Sequence, residues 1–116
     1  MSKSLQVMKF GGTSVGNAEC IARAAQIVAH AARSRRCVAV VSAMSGVTNR
    51  LIEAAKTAQA GNAAGATALI ESLRLHHESA LESLVPHPEE CERVRQKMET
   101  VFAEGLRFCG GTALLR

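Results

Sequence analysis

Residues that could bind a phosphate group are concentrated in one short segment, Lys9 to Gly16, with the sequence KFGGTSVG. The segment follows the apolar run Leu5 to Met8 and precedes a helical pattern that begins near Asn17. Glycines let an anion approach the backbone, a helix start offers unpaired N–H groups, and lysine adds a full positive charge. The segment therefore predicts phosphoryl chemistry, and the alternative is a tight strand–helix turn whose lysine extends into solvent.

A second polar segment, Ser42 to Asn49, follows the apolar run Cys37 to Val41. If both apolar runs are parallel strands, the two polar segments lie at the same edge of one sheet, where ligands bind in open α/β folds. We then expect Ser42 to contact phosphate and Thr48 to contact the acceptor. The alternative for Thr48 is that it only caps the following helix.

Two common nucleotide motifs are absent from the first segment. Gly11 and Gly16 have the spacing of a P-loop, but the next residues are Asn17-Ala18 rather than Lys-Ser or Lys-Thr. The dinucleotide fingerprint G-x-G-x-x-G is also missing. The local pattern by itself thus indicates generic anion binding.

Composition narrows the class of protein. The chain has 116 residues, 47% of them hydrophobic, with no Trp or Tyr. Residues 1–50 carry a net charge of +6 and residues 51–116 a net charge of −2, which favours an anionic ligand in the first half. Basic residues are not interleaved with aromatic ones, so nucleic acid is a poor candidate partner. The His and Cys spacing predicts no metal site.

The sequence also predicts where the protein is located, the state of its cysteines and whether its catalytic site is complete. With no signal peptide and no apolar run near 18 residues, we expect a cytoplasmic protein without a membrane partner. Its four cysteines are expected to be buried free thiols. The chain contains Glu but no Asp, which indicates that part of a phosphotransferase site lies elsewhere.

The apolar pattern predicts an α/β fold. Strands over Leu5–Phe10 and 37–42 flank a helix capped by Asn17, giving a βαβ unit over residues 5–42. Helices follow over residues 48–110: Thr48 is a candidate cap, Leu69, Leu73, His76, Ala80 and Leu84 mark one apolar face, and Gly110-Gly111 is a candidate terminator. Because two parallel strands do not form a stable sheet alone, we expect this to be the front part of a larger, mainly parallel sheet sandwiched by helices.

Together, KFGGTSVG and the segment SAMSGVTN after a VAVV strand resemble the aspartokinases of the amino acid kinase family. The resemblance is strong over residues 7–16 and 38–52 and only architectural from residue 64 onward. It implies an enzyme that uses ATP and Mg²⁺ to phosphorylate the side-chain carboxylate of L-aspartate, on the route to lysine, threonine and methionine. It also implies a homo-oligomer in the full-length protein.

The same resemblance implies roles for individual residues. Lys9 matches the catalytic lysine that stabilises the transferring phosphoryl group, and Phe10, Gly11, Gly12 and Ser42 complete the ATP-phosphate site. The substrate-binding residues are Thr13, Ser14 and Thr48.

The family's later acidic, arginine and adenine-site residues and its regulatory ACT domains are not found in residues 1–116, so this chain alone is expected to be inactive. Two alternatives stay open. One is another phosphotransferase of the amino acid kinase family, and the other is a non-catalytic helical assembly fragment.

Overall fold

The computed structural model describes residues 3–115, which form two compact units with the boundary between Ser45 and Gly46. The first contains β1 (Leu5–Phe10), α1 (Ala18–Ala32) and β2 (Arg36–Val41). The second contains α2 (Val47–Gln59), α3 (Ala63–Leu84) and α4 (Pro88–Leu114).

The first unit is a βαβ unit with a parallel two-stranded sheet. The register runs from Leu5 opposite Arg36 to Phe10 opposite Val41. The predicted first strand is confirmed, and the second begins and ends one residue earlier than predicted. Asn17 caps α1 as predicted, since its Oδ1 accepts a hydrogen bond from the Cys20 N–H at 2.9 Å.

Helix α1 covers only one face of the sheet. Phe10, Ala39 and Val41 lie on that face and border an apolar cavity of about 380 Å³ beneath α1. Because side chains alternate along a strand, the neighbouring positions project from the opposite face. That face carries Leu5, Val7, Val38 and Val40, which are between 47% and 63% exposed. One side of the sheet is therefore apolar and open to solvent.

The second unit is built around small and aliphatic residues where its three helices pack. Its core consists of Ala54, Ala58, Ala66, Ile70 and Cys109. The small alanines of α2 and α3 allow the two helix backbones to approach closely, and Leu69, Phe102 and Leu106 fill the margins. Helix α3 is capped by Asn62, whose Oδ1 accepts from the Gly65 N–H at 2.8 Å.

An ion-pair network joins α3 to α4. Arg74 contacts Glu71 at 2.9 Å and Glu78 at 3.2 Å on its own helix, and Glu99 of α4 at 3.3 Å. Glu78 also accepts from Arg95 of α4 at 3.1 Å. The hydrogen bond that Arg74 donates to Glu71, together with the negative charge of Glu71, raises the pKa of Arg74 above its ordinary value. The network fixes how the two helices align, although such half-exposed pairs contribute little stability.

Two expectations about where the helices begin and end are wrong. Thr48 does not cap α2, because the helix begins at Val47 and its N-cap is Gly46, in the left-handed region at φ 81°. Gly110-Gly111 does not end α4, which continues to Leu114. Each glycine weakens a helix by about 1 kcal/mol. Buried Cys109 and half-buried Ala113 hold this turn against the rest of the unit.

The buried face of α3 and the state of the cysteines also differ from expectation. The buried residues of α3 are Ala66, Ile70, Leu73 and Leu81, so the apolar face is rotated from the predicted one. All four cysteines are free as predicted, but only Cys91 and Cys109 are buried. Cys20 and Cys37, both in the first unit, are only half-buried.

Candidate functional site

The parallel register brings the two polar segments of the first unit together. Phe10 and Val41, the last residues of the strands, are paired, and the Ser42 N–H donates to the Phe10 carbonyl at 3.1 Å. The chain therefore leaves both strands at the same edge of the sheet. We call residues 11–16 the glycine loop and residues 42–45 the serine loop.

The glycine loop folds back on its own first residue. The Gly11 carbonyl accepts hydrogen bonds from the Ser14 N–H at 3.0 Å and the Val15 N–H at 3.3 Å. Within the described part of this unit, the N–H groups of Gly11, Gly12 and Thr13 donate to no protein acceptor. Consecutive free N–H groups in a turn before a helix form an anion-binding concavity. These three donors are the strongest chemical feature of the loop.

The glycine and serine loops are in direct contact. The Ser45 N–H donates to the Gly16 carbonyl at 3.3 Å. A Cβ at Gly12 would lie 3.9 Å from Ser42 Oγ, so that hydroxyl lies beside the glycine backbone. The structure therefore brings Phe10, Gly11, Gly12 and Ser42 together, as the sequence predicts for neighbouring strand ends.

Lys9 reaches this edge from the other face of the sheet. It is paired with Val40 in the register and alternates with Phe10, so its side chain leaves the sheet on the face opposite α1. The side chain is exposed, and among residues 3–115 no carboxylate forms an ion pair with it. A cationic group with no protein counter-ion at a ligand-binding edge is free to pair with an anion.

The Thr13 and Ser14 side chains border a shallow pocket of about 310 Å³ between the glycine loop and α1. Its further lining residues are Phe10, Cys20, Arg23, Ala24 and Ile27. Sequence reasoning missed Arg23, because a single arginine on an amphipathic helix gives no signal before the pocket beside it is known. Thr48 belongs to the second unit, at the second residue of α2, and its role as an acceptor contact stays a prediction.

The described residues fit a phosphate group but not its metal ion. Free N–H groups, a hydroxyl and a lysine ammonium are suitable partners for phosphate oxygens. Mg²⁺ prefers carboxylate oxygens, and the first unit offers only Glu19. Residues 3–115 hold no cluster of three His, Cys or acidic side chains that could bind a metal. None of the helices in the described part of the chain has the length and hydrophobicity needed to span a bilayer.

A βαβ unit with free N–H groups at the carboxyl ends of its strands defines part of an α/β fold with a candidate anion site at that edge. Comparison with known proteins specifies the family. The profile described as "Amino acid kinase family" matches residues 4–105. The chain belongs to the amino acid kinase family.

The similar curated proteins are named as aspartate kinases. The chain is 48% identical over 50 residues to "Aspartokinase" of Rickettsia felis and 54% identical over 54 residues to "Aspartate kinase" of Pseudomonas putida. It is 41% identical over 78 residues to "Aspartokinase" of Chlamydia trachomatis. These matches cover 42%, 46% and 67% of this chain but only 12%, 13% and 16% of the relatives. The resemblance inferred from the two motifs is confirmed.

Proposed function

We propose that this chain is the N-terminal portion of an aspartate kinase catalytic domain. The enzyme transfers the γ-phosphoryl group of ATP to the side-chain carboxylate of L-aspartate and forms 4-phospho-L-aspartate and ADP. The observation that carries the proposal is the contact between the glycine and serine loops, beside three N–H groups without protein acceptors. The names of the curated relatives support aspartate as the acceptor.

In this proposal the site works by positioning and by charge stabilisation. A carboxylate oxygen of aspartate attacks the γ-phosphorus, and the bond to the oxygen bridging the β- and γ-phosphates breaks. The acceptor carboxylate is already ionised at neutral pH, so no protein base is required. The Lys9 ammonium stabilises the negative charge on the transferring group.

The other residues divide between the two substrates. Backbone N–H groups of Gly11 and Gly12 hold the phosphates, Phe10 places the start of the loop, and the Ser42 hydroxyl donates to a phosphate oxygen. The Thr13, Ser14 and Thr48 side chains serve the acceptor. Mg²⁺, when bound, would neutralise phosphate charge, and its ligands are not among the described residues.

The fold proposal follows from the open sheet. An apolar face carrying Leu5, Val7, Val38 and Val40 requires cover, because exposed apolar patches of this kind mark buried or interacting surfaces. We therefore propose that the βαβ unit over residues 5–42 and the helices over 48–110 belong to a larger, mainly parallel sheet with helices on both faces. Since residues 1–116 contain no Asp, we also propose that this chain alone has no turnover.

The wider assignment follows the aspartokinase resemblance. We propose a cytoplasmic homo-oligomer that acts in lysine, threonine and methionine biosynthesis and has neither nucleic acid nor membrane as a partner.

The experiment compares Lys9→Ala with Lys3→Ala, which removes a second exposed lysine before β1. Phosphoryl transfer is measured in a complete amino acid kinase domain that includes this segment, with aspartate, glutamate and carbamate as acceptors. We expect transfer to aspartate, a decrease in kcat of about 10²-fold or more for Lys9→Ala, and little change for Lys3→Ala. Preference for another acceptor would contradict the aspartate assignment, and equal rates for the two variants would remove Lys9 from the site.

The chain alone provides a second test. We expect ATP to bind to it without turnover, and Lys9→Ala to weaken that binding. Turnover by the 116-residue chain would contradict the proposed inactivity. Failure to bind ATP, together with concentration-dependent scattering, would favour the helical assembly fragment.

A further inference from the structure

We propose that a cavity among the three helices of the second unit binds a small neutral phenol, that is, one aromatic ring carrying a hydroxyl group. The cavity has a volume of about 260 Å³ and is bordered by α2, α3 and α4. Its lining includes none of the residues proposed to hold ATP or the acceptor, and Thr48 lies outside it. The site is therefore a second one, and it does not rest on the proposed kinase function.

The lining of the cavity is apolar apart from one side chain. Its buried floor is formed by Val47, Ile70 and Leu73, and its exposed rim by Leu51 and Val101. None of the described residues that line it is charged. An ionised ligand would lose its hydration there without gaining an ion-pair partner, whereas an apolar ring would remove its own surface and that of the rim from water. The lining thus selects an uncharged ligand.

The size of the cavity fits one aromatic ring. A cavity of about 150 Å³ in a protein interior accommodates benzene, so this one has room for a ring with one or two small substituents. Phe102 forms part of the wall, and its ring meets the His77 ring edge-on with the centroids 5.3 Å apart. A ligand ring beside Phe102 would make a further aromatic contact, which contributes more than burial alone.

Gly105 keeps the cavity open. It lies inside α4, where glycine is among the least favourable residues, and its φ is not positive. A Cβ at this position would lie 3.8 Å from Ile70, which is an ordinary contact distance, so crowding does not require a glycine. The helix gains nothing from the missing side chain, but the cavity gains room for a ligand.

His77 is the polar residue of the lining, and it specifies a hydrogen-bond donor on the ligand. Its Nδ1 lies 2.7 Å from the Leu73 carbonyl oxygen, and because a carbonyl only accepts, we assign the proton to Nδ1. Nε2 of the neutral ring is then an acceptor, and it has no hydrogen-bond partner within the described helices. A hydroxyl group on an aromatic ligand can donate to it.

The test is an NMR titration of the 116-residue chain with p-cresol and with toluene, which has the same ring and methyl group but no hydroxyl. We expect p-cresol to shift the methyl resonances of Ile70, Leu73 and Val101 saturably. L-Aspartate should not displace it, and Lys9→Ala should not weaken it. These two controls distinguish failure of the phenol site from failure of the proposed kinase site.

A pair of histidine variants tests the hydrogen bond. His77→Phe keeps an aromatic ring against Phe102 and removes the acceptor, so the ratio of p-cresol to toluene affinity should fall about fivefold. His76→Phe makes the same change at an exposed neighbour outside the lining and should leave the ratio unchanged.

A pair of glycine variants tests the cavity itself. Gly105→Leu should fill the space and abolish saturable p-cresol binding. Gly110→Leu makes the same change in the same helix, at a position where a Cβ meets no atom within 4 Å and outside the lining, and should not affect binding. If Gly105→Leu disturbs the fold, the histidine pair still decides the question.

Three results would overturn the proposal. They are an absence of saturable p-cresol binding, displacement of p-cresol by L-aspartate, and an equal affinity ratio in His77→Phe and His76→Phe. N-acetyl-L-tyrosinamide carries the same phenol on a peptide backbone and should bind more weakly, since the lining offers its amide groups no partner besides His77. Tighter binding than p-cresol would instead identify a tyrosine of a protein partner as the occupant.

Discussion

Alanine substitutions in the glycine loop should separate the glycine that the fold requires from those that a ligand requires. An added Cβ at Gly11 meets no atom within 4 Å, and at Gly12 its nearest neighbour is Ser42 Oγ at 3.9 Å. At Gly16 the Cβ would lie 2.7 Å from Ser45 Oγ and 3.1 Å from the Gly12 carbonyl oxygen. None of the three has a positive φ. Steric crowding therefore distinguishes Gly16 from the other two.

The magnitudes follow from these contacts. Gly11→Ala restricts the unfolded chain without straining the folded one, so the first unit should be unchanged or stabilised by about 0.4–1 kcal/mol. Gly16→Ala forces the glycine loop away from the serine loop and should cost about 1–3 kcal/mol, the usual range for overpacking. The expected difference between the two variants is thus about 1–4 kcal/mol.

Ligand binding should show a different order. If phosphate approaches the free N–H groups of Gly11 and Gly12, the space that is empty in the free protein is the space that the ligand fills. A methyl group there should weaken ATP binding by about tenfold or more, the effect of losing one hydrogen bond to a charged group. Gly11→Ala should therefore impair binding while leaving stability intact.

Hydrogen exchange of the β1 and β2 amides reports the stability of the first unit without interference from the helical unit. ATP affinity is measured on the same samples by titration. The reasoning would be refuted if Gly11→Ala exposed the strand amides as much as Gly16→Ala does. It would also be refuted if Gly11→Ala bound ATP as tightly as the parent chain.

Three further predictions concern the scaffold. Leu73→Ala, at a position 1% exposed, should destabilise the helical unit by about 2.7–5 kcal/mol in urea unfolding. Leu75 is exposed, so Leu75→Ala should change the free energy of unfolding by less than about 0.5 kcal/mol. Asn17→Ala removes the α1 cap and should cost about 1 kcal/mol, measured by strand-amide exchange. Arg93 donates a hydrogen bond to Glu90 and lowers the pKa of that carboxyl below its ordinary 4.5. The ionised carboxylate therefore stabilises the folded protein above that pH, and the stabilisation is lost as the pH falls. The difference in melting temperature between the parent chain and Glu90→Gln should thus be largest above pH 4.5 and shrink as the pH falls below it.

Each scaffold prediction has a contrary outcome. Similar losses for the two leucine variants would mean that Leu73 is not packed in the core. An unchanged exchange rate for Asn17→Ala would show that α1 does not need its side-chain cap. A Glu90→Gln difference that grows toward low pH would reverse the expected sign of the linkage.

The parts of the fold that could be predicted from sequence are those with one dominant local signal. The β-branched run before Ser42 and the alternating run before Lys9 define strands, and Asn17 offers a side-chain cap of the preferred type. The edge that the two loops share follows from parallel connectivity alone. The order and direction of the two strands are therefore sufficient to predict that Ser42 lies near Gly12.

The errors occur where two local signals compete. On α3 both Leu69 and Ile70 are apolar, so sequence spacing allows two faces, and packing against the small alanines of α2 selects the face of Ile70. At the start of α2, a threonine cap competes with a left-handed glycine two residues earlier in the chain, and Gly46 is the N-cap. Arg23 was missed because a single arginine on an amphipathic helix carries no signal until the pocket beside it is known.

The strongest argument for a phosphate site is that Gly11 and Gly12 are not needed by the protein itself. A glycine with a negative φ and open space around its missing side chain usually weakens the local structure, because it enlarges the entropy of the unfolded chain. Gly16 has a structural reason, the close approach of Ser45, whereas these two have none within the described first unit. A ligand that contacts their backbone supplies the reason. Since Lys9 approaches the same edge from the opposite face of the sheet, that ligand would lie between a cation and a row of N–H donors, which is the arrangement that a phosphate requires.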